Sequence, residues 1–147
     1  MWRWAKMFPL KPKARHSPAQ NMHPAQNMTT GSAVKDGDTN WSTKAVTAYA
    51  EIDLEQTYRV ERVDVHWSGG WGADTYKWSL ALFDATTGKW AEVYETSAAP
   101  KILGRVDKVN VPQGTCCSKV RVYMLGRHGG EHGGYAISEV QVIGFDS

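Results

Sequence analysis

Cysteine is nearly missing from this chain of 147 residues: there are two, and they are neighbours, Cys116 and Cys117. That excludes a disulfide framework. A bridge between adjacent residues also works against the Cα spacing a relaxed disulfide wants, so both are read as free thiols, one facing the core. Long apolar runs are missing too, and nothing reaches the roughly 20 residues a membrane helix needs. Met1 to Leu10 is short and is broken by Arg3 and Lys6, unlike a secretory leader. Charge of one sign is lacking: 17 basic against 15 acidic side chains leave a formal +2. Apart from Lys6, Lys11, Lys13 and Arg15 the basic residues are scattered, and no helix-turn-helix pattern accompanies them, which argues against nucleic acid as a partner. Helix signals are scarce. No nucleophile–base pair, phosphate-cradling loop or cofactor motif is present, so an enzyme is not expected; Ser68 before Gly69 and Gly70 makes no nucleophile elbow, because no helix is expected after it.

Aromatic residues, in contrast, are plentiful, with seven Trp and six Tyr. Trp67, Trp78 and Trp90 fall in alternating runs and are read as core packing. From Trp41 onward the pattern has period two: Ala50 to Leu54, Tyr58 to Trp67, Tyr76 to Leu82, Lys89 to Glu95, Asp107 to Val111, Val120 to Leu125 and Tyr135 to Ile143. Alternation with charged residues between apolar ones means half-buried strands. Thr86-Thr-Gly-Lys89 reads as a hairpin turn. Val60 and Val63 are out of phase, as are Ile137 and Val140, which predicts a bulge in each strand. The order of short strands and turns predicts an all-β sandwich or barrel over residues 31–147. Residues 1–30 are expected to be an irregular segment partly packed on that domain, with a first strand near 7–12; the five-residue duplication at Pro18 to Met22 and Pro24 to Met28 is too short for a repeat fold.

Two loops gather the candidate binding side chains. One is Ser68-Gly-Gly-Trp-Gly-Ala-Asp74, where Trp71 sits in a turn sequence with little to bury a ring. The other, between the last two strands, holds Arg127, His128, Glu131, His132 and Tyr135. Binding residues concentrate on such loops of a rigid scaffold. The order of His128, Glu131 and His132 resembles an inverted zinc-protease motif, but that motif needs a helix, and Gly129, Gly130, Gly133 and Gly134 oppose one.

Taken in order, several pieces resemble the discoidin family, the coagulation factor 5/8 type C domains, which overlaps family 32 of the carbohydrate-binding modules. They are Lys11-Pro12 with Ala14 and Ser17, Ala33 to Ser42 with its Asp-Gly loop, Ala50 to Tyr58, Arg62 to Trp67 with Tyr76, and Gly134 to Gly144. The resemblance implies an eight-stranded antiparallel jelly-roll β-sandwich of the galactose-binding-domain type, with ligand loops at one end. Two departures are visible: the loop from Asp36 to Trp41 is shorter than the family pattern, and Glu55 stands where the family usually has Gly.

The resemblance also implies a structural calcium held by Asp36, Asp38, Thr39 and Glu139 with the carbonyl of Lys35, oxygen donors of the kind this ion takes. It implies a non-catalytic lectin-like module whose partner is a glycan ending in a galactose-type or amino sugar. Trp71 would be the platform and Arg127 the principal polar contact, with His66, Asp74, His128, Glu131 and His132 around them. The alternatives are a phospholipid-surface or protein-interaction discoidin domain. An extracellular or cell-surface setting is expected, and oligomerisation would serve avidity. Asn27-Met-Thr and Asn40-Trp-Ser fit the glycosylation triplet.

Overall fold

The computed structural model describes residues 6–8, 14–16, 21–23, 41–43 and 47–146, with side chains for 47–130 and 132–144. Three short strands come first, β1 (Lys6–Phe8), β2 (Ala14–His16) and β3 (Asn21–His23), then β4 (Trp41–Thr43). The 20-residue β5 (Ala48–Trp67) follows, then a one-turn helix α1 (Gly69–Asp74). The remaining strands are β6 (Thr75–Asp84), β7 (Lys89–Thr96), β8 (Val106–Asn110), β9 (Cys116–Arg127) and β10 (Tyr135–Asp146). The described residues thus form ten strands against the eight expected.

β5 organises the molecule. Its first half pairs with β2 and β9, β9 pairs with β6, and β6 pairs with β7. Its second half pairs with β10 and β8, and β10 reaches on to β4 and β1. All these pairings are antiparallel. The sequence pattern suggests two strands here, at Ala50 to Leu54 and Tyr58 to Trp67. They are one strand carried through an irregularity at Glu55, where φ is +67° and the backbone N–H bonds to Asp53 Oδ1 at 2.8 Å. The left-handed conformation explains why Gly suits this position.

The alternation read from the sequence decides which face is buried. Ala48, Ala50, Ile52 and Leu54 point inward from the first half of β5, and Val63, Val65 and Trp67 from the second. They meet Trp78, Leu80 and Leu82 of β6 and Val120, Val122 and Met124 of β9. The layers interlock where the Trp67 and Trp78 rings meet edge to face, centroids 5.4 Å apart. Both expected bulges are present. The β10–β5 register slips between Ile137 and Glu139, and again between Ile143 and Gly144 opposite Arg62 and Val60. Ser138 fills the first slip by donating its hydroxyl to His66 O at 3.0 Å. The Thr86–Thr87 hairpin joins β6 to β7 as expected, closed by Gly88 N–H to Asp84 O at 2.8 Å.

Trp90 is the aromatic residue whose place differs from expectation. It lies half-exposed on the outer face, 5.2 Å from Phe83 and with the Arg121 guanidinium 4.1 Å from its ring centre. Arg121 also donates to Glu51 at 2.8 Å and to the Tyr123 hydroxyl at 2.9 Å, which buries Glu51 on a nominally solvent face.

Candidate functional site

The loops after β5 and after β9 meet at one end of the sandwich. α1 forms although Gly69, Gly70 and Gly72 oppose helix by propensity, so tertiary contacts hold it. Gly72 N–H bonds to Ser68 O at 2.9 Å, and a Cβ on Gly72 would stand 2.8 Å from Trp67 Cβ and 2.9 Å from Ala136 O. Only a residue without a side chain lets this turn lie on β5 and β10. The helix also corrects the expectation that none follows Ser68. No elbow results, because Ser68 is in relaxed extended backbone (φ −107°, ψ 129°).

This turn aims Trp71 at the other loop. The indole lies against Gly134, where a Cβ would fall 2.4 Å from Trp71 Cε3. One residue earlier, a Cβ on Gly133 would fall 3.2 Å from Arg127 Cδ and Nε. Adjacent glycines therefore make room for the indole and for the guanidinium on the same short segment. Arg127 ends β9 opposite Thr75, donates from Nε to Gly130 O at 3.1 Å and lies 4.9 Å from the Tyr135 ring centre. Tyr135 is fully buried, as its packing role requires; burial pushes its phenol up, and the neighbouring Arg127 opposes that shift.

Asp74, the last residue of α1, closes the floor. Its carbonyl accepts from His128 N–H at 3.0 Å, and the His128 ring rests against Tyr76 with centroids 4.9 Å apart. Its carboxylate faces Lys101 Nζ, 3.0 Å from Oδ1. The pair is close enough for an ion pair but not aligned as a hydrogen bond, so Oδ1, sealed from solvent, meets Lys101 through charge alone. Lys101 belongs to a loop pinned by buried Arg105, whose guanidinium donates to Pro100 O, to Thr75 O at 2.8 Å and to Asp107 at 3.1 Å.

Trp71, Asp74, Arg127 and His128 are thus brought together. Glu131 and His132 lie on a single 3-10 turn, Gly130–His132, of the same loop; the side chain of Glu131 is outside the described ones. That turn is not the α-helix a zinc-protease motif needs. His66 is engaged elsewhere: it faces outward from β5, its Nε2 3.2 Å from Gln141 Oε1 on β10. Lys35, Asp36, Asp38 and Thr39 lie outside the described residues. Glu139 is described and accepts from Gln141 Nε2 at 3.2 Å, in register with His66. Among the described residues no three His, Cys, Asp or Glu side chains cluster as metal ligands. Lys101 and Arg105 escape sequence reading, since Ala99-Pro-Lys-Ile-Leu-Gly-Arg105 carries no periodicity. The doubled glycine at 133–134 was the available signal for a close approach.

Fold and rim together define an antiparallel β-sandwich with its convergent polar and aromatic side chains on end loops. Over residues 14–140 the sequence matches the F5/8 type C domain, and the chain belongs to that family. Its structure is similar to the family 32 carbohydrate-binding module of C. perfringens NanJ, solved in complex with galactose (TM-score 0.74, 16% identity, 95% of this chain and 98% of that one). It is also similar to chitosan-binding module 1 of a chitosanase/glucanase from Paenibacillus sp. IK-5 (TM-score 0.72, 19% identity, 93% and 98%). A third neighbour is CpGH89CBM32-5 from Clostridium perfringens, in complex with GalNAc-β-1,3-galactose (TM-score 0.69, 14% identity, 93% and 99%). At these identities the likeness is one of fold. No curated protein sequence matches the chain.

Proposed function

We propose that this domain is a non-catalytic carbohydrate-binding module that takes a terminal galactose-type or amino sugar on the rim between α1 and the β9–β10 loop. The observation that carries this reading is the seating of Trp71 and Arg127 on neighbouring Gly134 and Gly133. An indole offers an apolar face to the C–H side of a sugar ring, and a guanidinium and a carboxylate give directional, charge-assisted bonds to hydroxyls. The neighbours solved with galactose, with GalNAc-β-1,3-galactose or as a chitosan-binding module support the same ligand class. One ring and a few polar groups bind a monosaccharide weakly, so useful avidity comes from tethering or multivalency. Such a role belongs outside the cell or at its surface.

Calcium is part of the proposal as a stabiliser, with Glu139 as the described ligand and Asp36, Asp38, Thr39 and the Lys35 carbonyl completing the set by resemblance. The Glu139 carboxylate is a donor of the right chemistry and is half-exposed. A bound ion would favour the folded state by mass action.

A glycan array with the wild type, Trp71→Ala and Arg127→Ala tests the sugar reading. Loss of signal in both variants, with the fold retained by circular dichroism, is the expected result. Undiminished binding in both would remove this rim from consideration.

A further inference from the structure

We propose that Lys101 is a built-in occupant of the Asp74 carboxylate, and that the ligand which displaces it carries its own ammonium: a sugar with a free, unacetylated amine. This rests on the reading of the rim as a sugar site and narrows its ligand class. Asp74 is a built acceptor. Its side chain is only 18% exposed, its Oδ1 is sealed, and that atom has no aligned hydrogen-bond donor. A mostly buried carboxylate oxygen is costly to leave without a cation or donor, and Lys101 Nζ at 3.0 Å is what meets it here, as an ion pair without an aligned hydrogen bond. It is also well placed: its own residue ends the turn that carries Trp71, its carbonyl holds His128, and its Oδ2 lies 4.0 Å from where a Cβ on Gly129 would be.

The group over Oδ1 is easily moved. Lys101 is 65% exposed, so little packing holds its stem, although its backbone is fixed by the Arg105 contacts to Pro100 and Thr75. An exposed lysine on a carboxylate gains little from the pair and gives up side-chain freedom to make it. Displacement by a neutral hydroxyl would exchange a cation for a dipole beside a poorly hydrated anion. Displacement by a sugar ammonium keeps the charge balance, supplies the same three N–H donors, and can align one of them on Oδ1. The carboxylate then favours the amino sugar over its N-acetylated form, and Lys101 acts as the competitor that any ligand must remove.

Isothermal titration with a glucosamine trimer and its fully N-acetylated counterpart tests this, using the wild type, Asp74→Asn, Lys101→Met and Trp71→Ala. The wild type should favour the amine trimer about tenfold in mildly acidic buffer, a free-energy difference of about 1.4 kcal/mol. The preference should fade as pH rises through the amine pKa. Lys101→Met should bind the amine trimer several-fold tighter, and Asp74→Asn should bind both trimers alike. Equal affinities in the wild type, weaker binding in Lys101→Met, a preference surviving in Asp74→Asn, or no binding of either trimer each overturn the proposal. Galactose titrated in parallel separates the two readings. If galactose binds and Trp71→Ala abolishes it while the trimers fail these tests, only the amine preference falls. If nothing binds and Trp71→Ala changes nothing, the sugar site itself falls.

Discussion

Single residues decide whether the rim exists. Gly134 is the sharpest case, because the Trp71 ring occupies the space a side chain would need. Gly134→Ala should push the indole off its seat, lowering glycan affinity at least tenfold by titration and shifting Trp fluorescence, while Gly133 still accommodates Arg127. Glu55 is the opposite case, a side chain where the backbone wants none, at φ +67°. A non-glycine residue in that region costs roughly 1–2 kcal/mol, part of which glycine returns as unfolded-state entropy. Glu55→Gly should therefore stabilise the domain by about 0.5–1 kcal/mol in urea denaturation; a destabilised variant would mean that the side chain makes up for the strain. The misfit at Glu55 was legible in the sequence as a departure from the family pattern. The Asp74–Lys101 pair was not, because it depends on where Lys101, 27 positions along, comes to rest.

At the scale of elements, strands were readable because each buries one face, and period two survives in the sequence. The bulges could be read for the same reason: an extra residue breaks phase at Val60/Val63 and Ile137/Val140, and the register slips there. The α1 turn could not be read, since it is held by Gly72 lying on Trp67 and Ala136 and not by the helix propensity of its residues. β9 illustrates a consequence of the alternation. Adjacent Cys116 and Cys117 point opposite ways, and Cys117 is fully buried. Burial, with smaller contributions from Cys116 and Asp84, pushes its thiol up to about 12 from 9.0. A folded-state value above the unfolded one gives stability that is complete below the unfolded pKa and is lost as pH rises toward the folded one. Denaturation midpoints should therefore fall as pH rises above about 9, the unfolded thiol's value, and Cys117→Ala should flatten that decline. In the native protein a thiol reagent should label Cys116 first, since Cys117 stays protonated and enclosed.

Across the whole molecule, the layered architecture holds two loop systems from distant parts of the chain at one end. If the proposed ion is present, a calcium chelator should lower the melting temperature by several degrees, and added calcium should restore it. Glu139→Gln should abolish that response; a melting curve indifferent to chelator would remove calcium from the account. The architecture was legible in the ordered set of motifs, while the strand count was not, because strands of three residues such as Lys6–Phe8 and Asn21–His23 show no periodicity. The length of β5 has a further effect. One continuous backbone supplies the central hydrogen-bonding partner of both layers, β9 along Ala48–Asp53 and again at Tyr58 and Arg59, and β10 from Tyr58 to Trp67. Neither layer can come apart without exposing the other, so amides in both should exchange with deuterium through one shared global opening, and proteolysis should release no half-domain fragment.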